Sequence, residues 1–229
     1  MIVAIDGASG TGKSTVAKLI AQEFDLSYVD TGAIYRSVAL VVKEKNISLC
    51  DNDDKILKKL CSTLPLRFEF IDGVNKVFLD KRDISQDIRL PEISMLASKV
   101  SALKVVRDSL LEMQRRLAKS TNKKGAVLDG RDIGTVIFPD ADIKIFLTAS
   151  DNVRATRRHL ELKSKGVEID YKDVLEQTIQ RDKQDSERTL APLKKADNAI
   201  EVNTDGLDVN GVTEKIKKII TSRLFSCLN

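Results

Sequence analysis

A lysine and a serine close a glycine-rich run, Gly7-Ala8-Ser9-Gly10-Thr11-Gly12-Lys13-Ser14, with Thr15 next. The spacing is G-x-x-x-x-G-K-[ST], and its chemistry is that of a polyphosphate cradle. Backbone N–H groups must converge on the anion, which a glycine-rich loop can arrange without Cβ clashes. A following helix adds its positive N-terminal end. On this reading residues Gly7, Ala8, Ser9, Gly10, Thr11, Gly12, Lys13, Ser14 and Thr15 line a nucleotide phosphate site. Lys13 reaches the β- and γ-phosphates, and the Ser14 hydroxyl takes a Mg2+ position. The flanks have the required character: Met1-Ile2-Val3-Ala4-Ile5 is an apolar strand up to Asp6, and Val16, Leu19, Ile20 and Phe24 recur at helical spacing.

A second carboxylate belongs to the same chemistry. Ala126-Val127-Leu128 is an apolar run ending in Asp129, which would lie beside the phosphate loop in a parallel sheet and orient Mg2+ through water. Gly130 follows where a hydrolytic ATPase commonly wants a carboxylate to align water, so the pattern leans toward transfer to a bound acceptor. A guanine-specifying box is lacking, since Asn122-Lys123-Lys124-Gly125 follows a helix and has no aspartate. Arg131 and Asp132 come directly after the strand, at the edge where open α/β sheets bind ligands. Arg154, Arg157 and Arg158 share one helical face, and Arg181, Asp185 and Arg188 share another. Arginines on a closing lid would clamp a transferring phosphoryl group. Arg36, early in a helix after Thr31-Gly32-Ala33-Ile34-Tyr35, is a second candidate anion site. An acceptor that is itself a phosphate is largely ionised at neutral pH and needs no general base. His159, the only histidine, is read as a solvated residue without a catalytic role. A small-alcohol acceptor with Asp129 or Asp132 as base, another monophosphate, or a nucleotide-dependent switch stay open on the residues alone.

The elements that must position these groups follow from periodicity. The first strand and helix lead to a short strand at Leu26-Ser27-Tyr28-Val29, and Asp30-Thr31 caps a helix carrying Ile34, Val38, Val41 and Val42. A β-α-β-α order predicts a parallel, doubly wound sheet. Asp51 to Ser62 reads as a short helix. From Pro65 the period changes, with Leu66, Phe68 and Phe70 alternating, a turn signal at Asp72-Gly73, and Val77 and Leu79 on the return; 63 to 85 is therefore an inserted antiparallel hairpin, with a third strand at Arg82 to Ser85. Pro91 to Lys119 is helical, broken near Ser101-Ala102. Buried strands follow at Ala126 to Asp129 and Ile143 to Leu147, then two polar helices over Asp151 to Lys163 and Tyr171 to Arg188 whose low apolar content marks a mobile lid. A strand at Ala199 to Val202 and a helix with Val212, Ile216, Ile219 and Ile220 inward end the chain. The expected fold is thus an α/β P-loop three-layer fold: a five-stranded parallel sheet, an inserted small antiparallel sheet and a helical lid. Its parts are a core of 1–30, 120–150 and 189–229, an acceptor-binding insertion at 31–119 and a lid at 151–188.

Composition narrows the partners. A net charge of +4 suits anionic small molecules but not nucleic acid, and an aromatic content of 4% without tryptophan leaves few stacking platforms. Cys50, Cys61 and Cys227 have neither metal-ligand spacing nor even number, so a reducing cytoplasm is expected. No stretch approaches the ~20 apolar residues of a membrane span. The expectation is a cytoplasmic monomer with small-molecule partners, no nucleic acid and no membrane.

Taken together, the phosphate loop, Asp30-Thr31-Gly32-Ala33-Ile34-Tyr35-Arg36, Leu128-Asp129-Gly130-Arg131-Asp132-Ile133-Gly134-Thr135-Val136, and Arg181-Asp182 through Ala191-Pro192-Leu193 closely resemble the bacterial cytidylate kinases, a nucleoside monophosphate kinase family. The likeness runs essentially end to end, and the second and third stretches are far more specific than the phosphate loop. It implies ATP as phosphoryl donor with Mg2+, and CMP or dCMP as acceptor. By the family pattern Ser98, Arg107 and Asp132 read the cytosine edge, while Arg36, Arg131 and Arg188 hold the acceptor phosphate. Arg181 and Asp185 contact the nucleotide's phosphate and sugar side, with Thr31 at the same pocket. Arg154, Arg157 and Arg158 belong to the lid over ATP, and the catalytic set is Lys13, Arg131, Arg157, Arg158, Arg181 and Arg188. The inserted hairpin is similar to the small sheet that separates this family from adenylate kinases. Two departures are visible, Ala8 where many members carry proline and Ser14 where some carry glycine; the serine restores the usual Mg2+ hydroxyl.

Overall fold

The structure, a computed structural model, describes residues 1–49, 53–71, 74–120, 122–164 and 166–226. Asp51, the Asp72-Gly73 turn, Cys50 and Cys227 lie outside the described residues. The chain divides into two compact units, Met1–Val29 with Arg115–Asn229, and Asp30–Gln114.

The larger unit is built on a parallel sheet. Its strands are β1 (Ile2–Gly7), β2 (Ser27–Asp30), β6 (Ala126–Gly130), β7 (Ile143–Thr148) and β8 (Ile200–Asn203), in the spatial order β2-β6-β1-β7-β8. β1 is central, with Ile5 opposite Asp129 on one side and Ile145 on the other. Buried on both faces, its Val3, Ala4 and Ile5 read as a continuous apolar run rather than an alternation. Helices α1 (Lys13–Glu23) and α8 (Val209–Ser226) pack on the sheet, where Val16, Ile20, Val212, Ile216 and Ile220 join Val3, Ile5, Val127, Ile145 and Leu147 in one core. The strand order reverses direction at β1, so the carboxyl end of β1 is the switch point where such sheets bind ligands.

Two further helices of this unit, α6 (Asp151–Ser164) and α7 (Tyr171–Glu187), pack on one another through a small cluster, with Ala155, Leu162 and Val174 buried against Ile169, Tyr171 and Leu175. The sequence carries α7 to Arg188, but the helix ends at Glu187 and Arg188 has extended backbone (φ −62°, ψ 138°). Arg188 therefore leaves the helical face that carries Arg181 and Asp185. His159 differs from expectation too: it is half-buried, its ring edge-on to Tyr171 at 6.0 Å and its Nε2 3.1 Å from the Ile169 carbonyl. An imidazole has an apolar body, and here that body lies at the edge of the small cluster, against Tyr171.

In the smaller unit, α2 (Thr31–Glu44) starts at Asp30, whose Oδ1 accepts the Ala33 N–H at 2.8 Å. It packs on α4 (Pro91–Ala102). α3 (Asp54–Thr63) precedes an antiparallel sheet of β3 (Leu66–Ile71), β4 (Val74–Leu79) and β5 (Arg82–Asp83), the inserted hairpin with its third strand. A single extended residue, Leu103 (φ −77°, ψ 127°), separates α4 from α5 (Lys104–Lys119), just beyond the expected break.

Candidate active site

In the larger unit the groups singled out by their chemistry converge at the carboxyl ends of the strands. Gly7 leaves β1 at φ 151°, and a Cβ there would stand 2.3 Å from the Leu147 carbonyl oxygen, so the loop can pass over β7 only without a side chain. The loop delivers α1 with no side-chain cap and no acidic residue in its first turn, which keeps the helix's positive end directed at the loop. Lys13 folds back across it, donating to the Ala8 carbonyl (2.5 Å) and the Thr11 hydroxyl (3.3 Å).

This lysine is 6% exposed, and burial together with the Arg131 charge holds its ammonium well below the usual lysine range; Asp129 and Asp6 oppose the shift and Arg181 adds to it. The charges of Arg131 and Arg181 thus both bear on Lys13, a burden that a bound polyanion relieves. Beside Lys13, the Ser14 hydroxyl donates to Asp129 Oδ2 at 2.6 Å and Tyr28 OH donates to Oδ1 of the same carboxylate at 3.0 Å. The sequence pairs Ser14 with Asp129, and the structure brings them together. Tyr28 reads in the sequence only as a strand aromatic, and its alternation gives no sign of this partner.

Around this centre, Arg131 Nε donates to Asp185 Oδ2 at 2.8 Å. Burial pulls the Asp185 carboxyl upward, but the charges of Arg131, Arg181 and Arg188 outweigh it and set the group below the usual range. Arg181 reaches the Ser9 hydroxyl at 3.5 Å. Arg188 donates to the Ala191 carbonyl at 2.7 Å and stands 3.8 Å from Asp132 Oδ1. Ala191 is held at φ 47°, a strained conformation for alanine that marks this loop.

The three arginines of α6 take three different roles. Arg154 is 3% exposed and is held by protein groups, donating to the Ala149 carbonyl (3.1 Å), the Ser9 carbonyl (3.1 Å) and Asp151 (2.5 Å) and pairing with Asp182. It braces the phosphate loop from behind. Arg157 donates to the hydroxyl and carbonyl of Thr204, both at 3.0 Å, and to the Gly10 carbonyl at 3.5 Å. Arg158 pairs along its own helix with Glu161 at 2.8 Å. Helical spacing shows a shared face, but one helical turn still separates an inward side chain from an outward one.

Asp6 is the group that the sequence most understates. Reading as the end of an apolar strand, it is 4% exposed and its two oxygens accept the Ile133 and Gly134 N–H groups, each at 2.8 Å. Burial pushes its carboxyl up to about 6 against those two amides, with the Asp132 charge adding to the rise and Lys13 opposing it.

The smaller unit carries its own constellation. Arg36 Nη2 donates to Asp30 Oδ2 at 3.0 Å, while its buried Nε has no acceptor among the described residues. Thr31 is buried at the start of α2. Arg107 is buried, donates to the Ser101 carbonyl at 3.1 Å and lies over the Tyr35 ring, 5.7 Å from its centroid. Ser98 accepts at its carbonyl from the Ser101 hydroxyl at 2.9 Å.

A glycine-rich loop at the switch point of a parallel sheet, with a lysine, a serine–aspartate pair and buried arginines, defines a P-loop phosphotransferase. The fold alone has a likeness in the crystal structure of TT1252 from Thermus thermophilus, with a TM-score of 0.51 and 17% identity over 98% of this chain and 97% of that one. The cytidylate kinase family model matches residues 3–222. The cytidylate kinase of Thermosipho melanesiensis is 46% identical over 96% of this chain and 97% of its own, and that of Carboxydothermus hydrogenoformans is 44% identical over the same shares. The chain belongs to the cytidylate kinase family. Among the described residues no helix is long and apolar enough to cross a membrane.

Proposed function

We propose that this chain transfers the γ-phosphoryl group of ATP to CMP or dCMP, giving ADP and CDP or dCDP. Family membership supports the donor and the acceptor class. The structural observation that carries the reading is Lys13 folded back across the glycine-rich loop, with the Ser14–Asp129 pair beside it.

In this reading a core of 1–30, 120–150 and 189–229 holds ATP, the insertion 31–119 serves the acceptor and 151–188 is the lid. The loop amides and Lys13 bind the β- and γ-phosphates, and the arginines meet the charge that spreads over the equatorial oxygens in the transition state. Arg131, Arg157, Arg181 and Arg188 serve that role from buried or half-buried positions, and Arg158 joins by exchanging Glu161 for phosphate. A hydroxyl and a carboxylate are hard oxygen donors of the kind Mg2+ takes, so Ser14 would hold it and Asp129 would orient it through water. When bound, Mg2+ neutralises charge on the phosphate oxygens. By the family resemblance, Thr31, Arg36, Ser98, Arg107, Arg131, Asp132, Arg181, Asp185 and Arg188 serve the acceptor nucleotide. The unpartnered Arg36 Nε fits an anionic group. Cytosine offers an amino donor to Asp132, and N3 and O2 acceptors to Arg107 and Ser98. The acceptor phosphate is its own nucleophile and requires no base.

The test is ADP release from Mg-ATP with CMP, dCMP, UMP and AMP in parallel. Turnover with CMP and dCMP well above the others is expected. A lead by UMP or AMP would overturn the base-reading residues, and no stimulation by any monophosphate would overturn the kinase reading.

A further inference from the structure

Asp132 stands at the N-cap position of a one-turn π-helix, Ile133–Ile137. The opening N–H groups of such a turn have no acceptor within it, and an aspartate at this position ordinarily turns its own carboxylate back onto them. Asp132 makes no such cap. The two amides instead meet Asp6, from the end of β1, at 2.8 Å each. A Cβ on Gly134 would press on Lys144 Cδ at 3.1 Å but stand at an ordinary contact distance, 3.4 Å, from Asp6 Oδ2. Within the turn the Asp132 carbonyl accepts the N–H groups of Val136 (2.9 Å) and Ile137 (3.2 Å), and from outside it Arg115 Nε donates to the Ile137 carbonyl at 3.0 Å. With its carboxylate not spent on its own turn, Asp132 lies 3.8 Å from Arg188 in a buried setting.

We propose that Asp6 is a positioning residue for the acceptor base: by capping the 133–137 turn from another strand, it keeps the Asp132 carboxylate directed to the acceptor instead of to its own backbone. The inference rests on the assignment of Asp132 to the cytosine amino group. Asp6 is also the residue immediately before Gly7, so one carboxylate ties the start of the donor loop to the segment carrying Arg131 and Asp132.

Asp6→Asn tests this with little change of shape, because its NH2 faces one of the two amides donor to donor. The Asp132 carboxylate is then drawn back onto its own turn. The CMP KM should rise roughly tenfold and the preference for CMP over UMP in kcat/KM should shrink by a similar factor, as expected for losing about one charge-assisted hydrogen bond. Saturating kcat and the ATP KM should change less than about threefold, and hydrogen exchange of residues 131–137 should quicken. Asp6→Ser, which retains one acceptor, replaces it if Asp6→Asn does not fold. A purely structural role would lower the melting temperature and leave the CMP-to-UMP ratio intact; that result overturns the inference. Absence of any CMP preference in the unmodified protein would instead sink the Asp132 assignment and the inference with it, so the two failures are distinguishable.

Discussion

The carboxyl edge of the parallel sheet and the two-helix segment α6–α7 present the same kinds of side chain, arginines and aspartates, yet hold them by different means. At the edge, Lys13, Asp129 and Arg131 sit within three residues of Val16, Leu128 and other side chains of the apolar core, so their positions are inherited from the sheet. In α6–α7 only Ala155, Leu162 and Val174 are buried in the shared cluster, and the arginines are placed by Asp151, Asp182, Glu161 and Thr204. Polar partners can be exchanged for a ligand's oxygens, whereas a strand register cannot. The edge is therefore fixed by packing, and the helices by partners that a ligand's oxygens can replace.

The sharpest way to break this contrast is to remove the charge with the most depressed pKa. Lys13→Met should lower kcat about 10³-fold while leaving the melting temperature no lower, because a buried cation crowded by Arg131 and Arg181 is a functional arrangement and not a stabilising one. Melting and single-turnover phosphoryl transfer on the same sample check it. A fall in stability as large as the fall in rate would make Lys13 part of the scaffold.

Within α6 the contrast can be drawn inside one helix. Arg154→Ala strands the Asp182 carboxylate and the Ser9 carbonyl, a loss of about 3 kcal/mol for a buried pair, or a melting temperature lower by roughly 6–12 °C. Arg158→Ala removes a pair with side chains 29% and 46% exposed and should cost under about 0.5 kcal/mol. Its effect belongs in kcat. Equal destabilisation by both would mean that the helix is held as a whole and not through Arg154.

These differences show where sequence reading reaches and stops. The strands announced themselves as apolar runs, the phosphate loop by glycine spacing, and the Ser14–Asp129 pair by the chemistry of Mg2+. Asp6, Tyr28 and Arg154 act through partners more than a hundred residues distant, and Thr204 holds Arg157 from 47 residues away, separations about which periodicity carries no information. The Ile133–Ile137 π-turn was unreadable for the same reason, since its amides are satisfied by Asp6, 127 and 128 residues away. Arg188 was placed on a helical face because its spacing fits; the chain instead turns extended there to reach Asp132.

Asp6 also gives the edge a pH signature opposite in sign to that of Asp185 on α7. Its carboxyl, pushed from 3.8 to about 6 in the folded state, retains a proton between those values that the unfolded chain has released. A raised folded pKa means that this contribution to stability is full below about pH 4 and is lost as pH rises to about 6. The loss amounts to about 3 kcal/mol at most. In Asp6→Asn the contribution is absent, while shifts elsewhere, such as the lowered pKa of Asp185, remain in both proteins. The stability of the unmodified protein minus that of the variant, from denaturant melts, should therefore fall across this window and level off above it. A flat difference would remove the desolvated charge from the account.

The smallest expected effect tests how finely the edge is set. Tyr28→Phe deletes one hydroxyl and keeps the ring in β2, so Asp129 loses the Oδ1 partner at 3.0 Å while Ser14 still donates to Oδ2. One neutral donor to a carboxylate contributes about 1 kcal/mol, which corresponds to a melting temperature lower by roughly 2–4 °C. The same loosening should weaken Mg2+ about fivefold, read as the metal concentration giving half-maximal thermal protection in the presence of ADP, with protection by ADP alone unchanged. If the variant melts lower but binds Mg2+ as before, Tyr28 only fills its place in the strand and Asp129 is oriented by Ser14 and the sheet. If Mg2+ weakens without any change in melting, the hydroxyl acts on the metal side alone, and the edge is tuned by single donors to the same degree that the helices are.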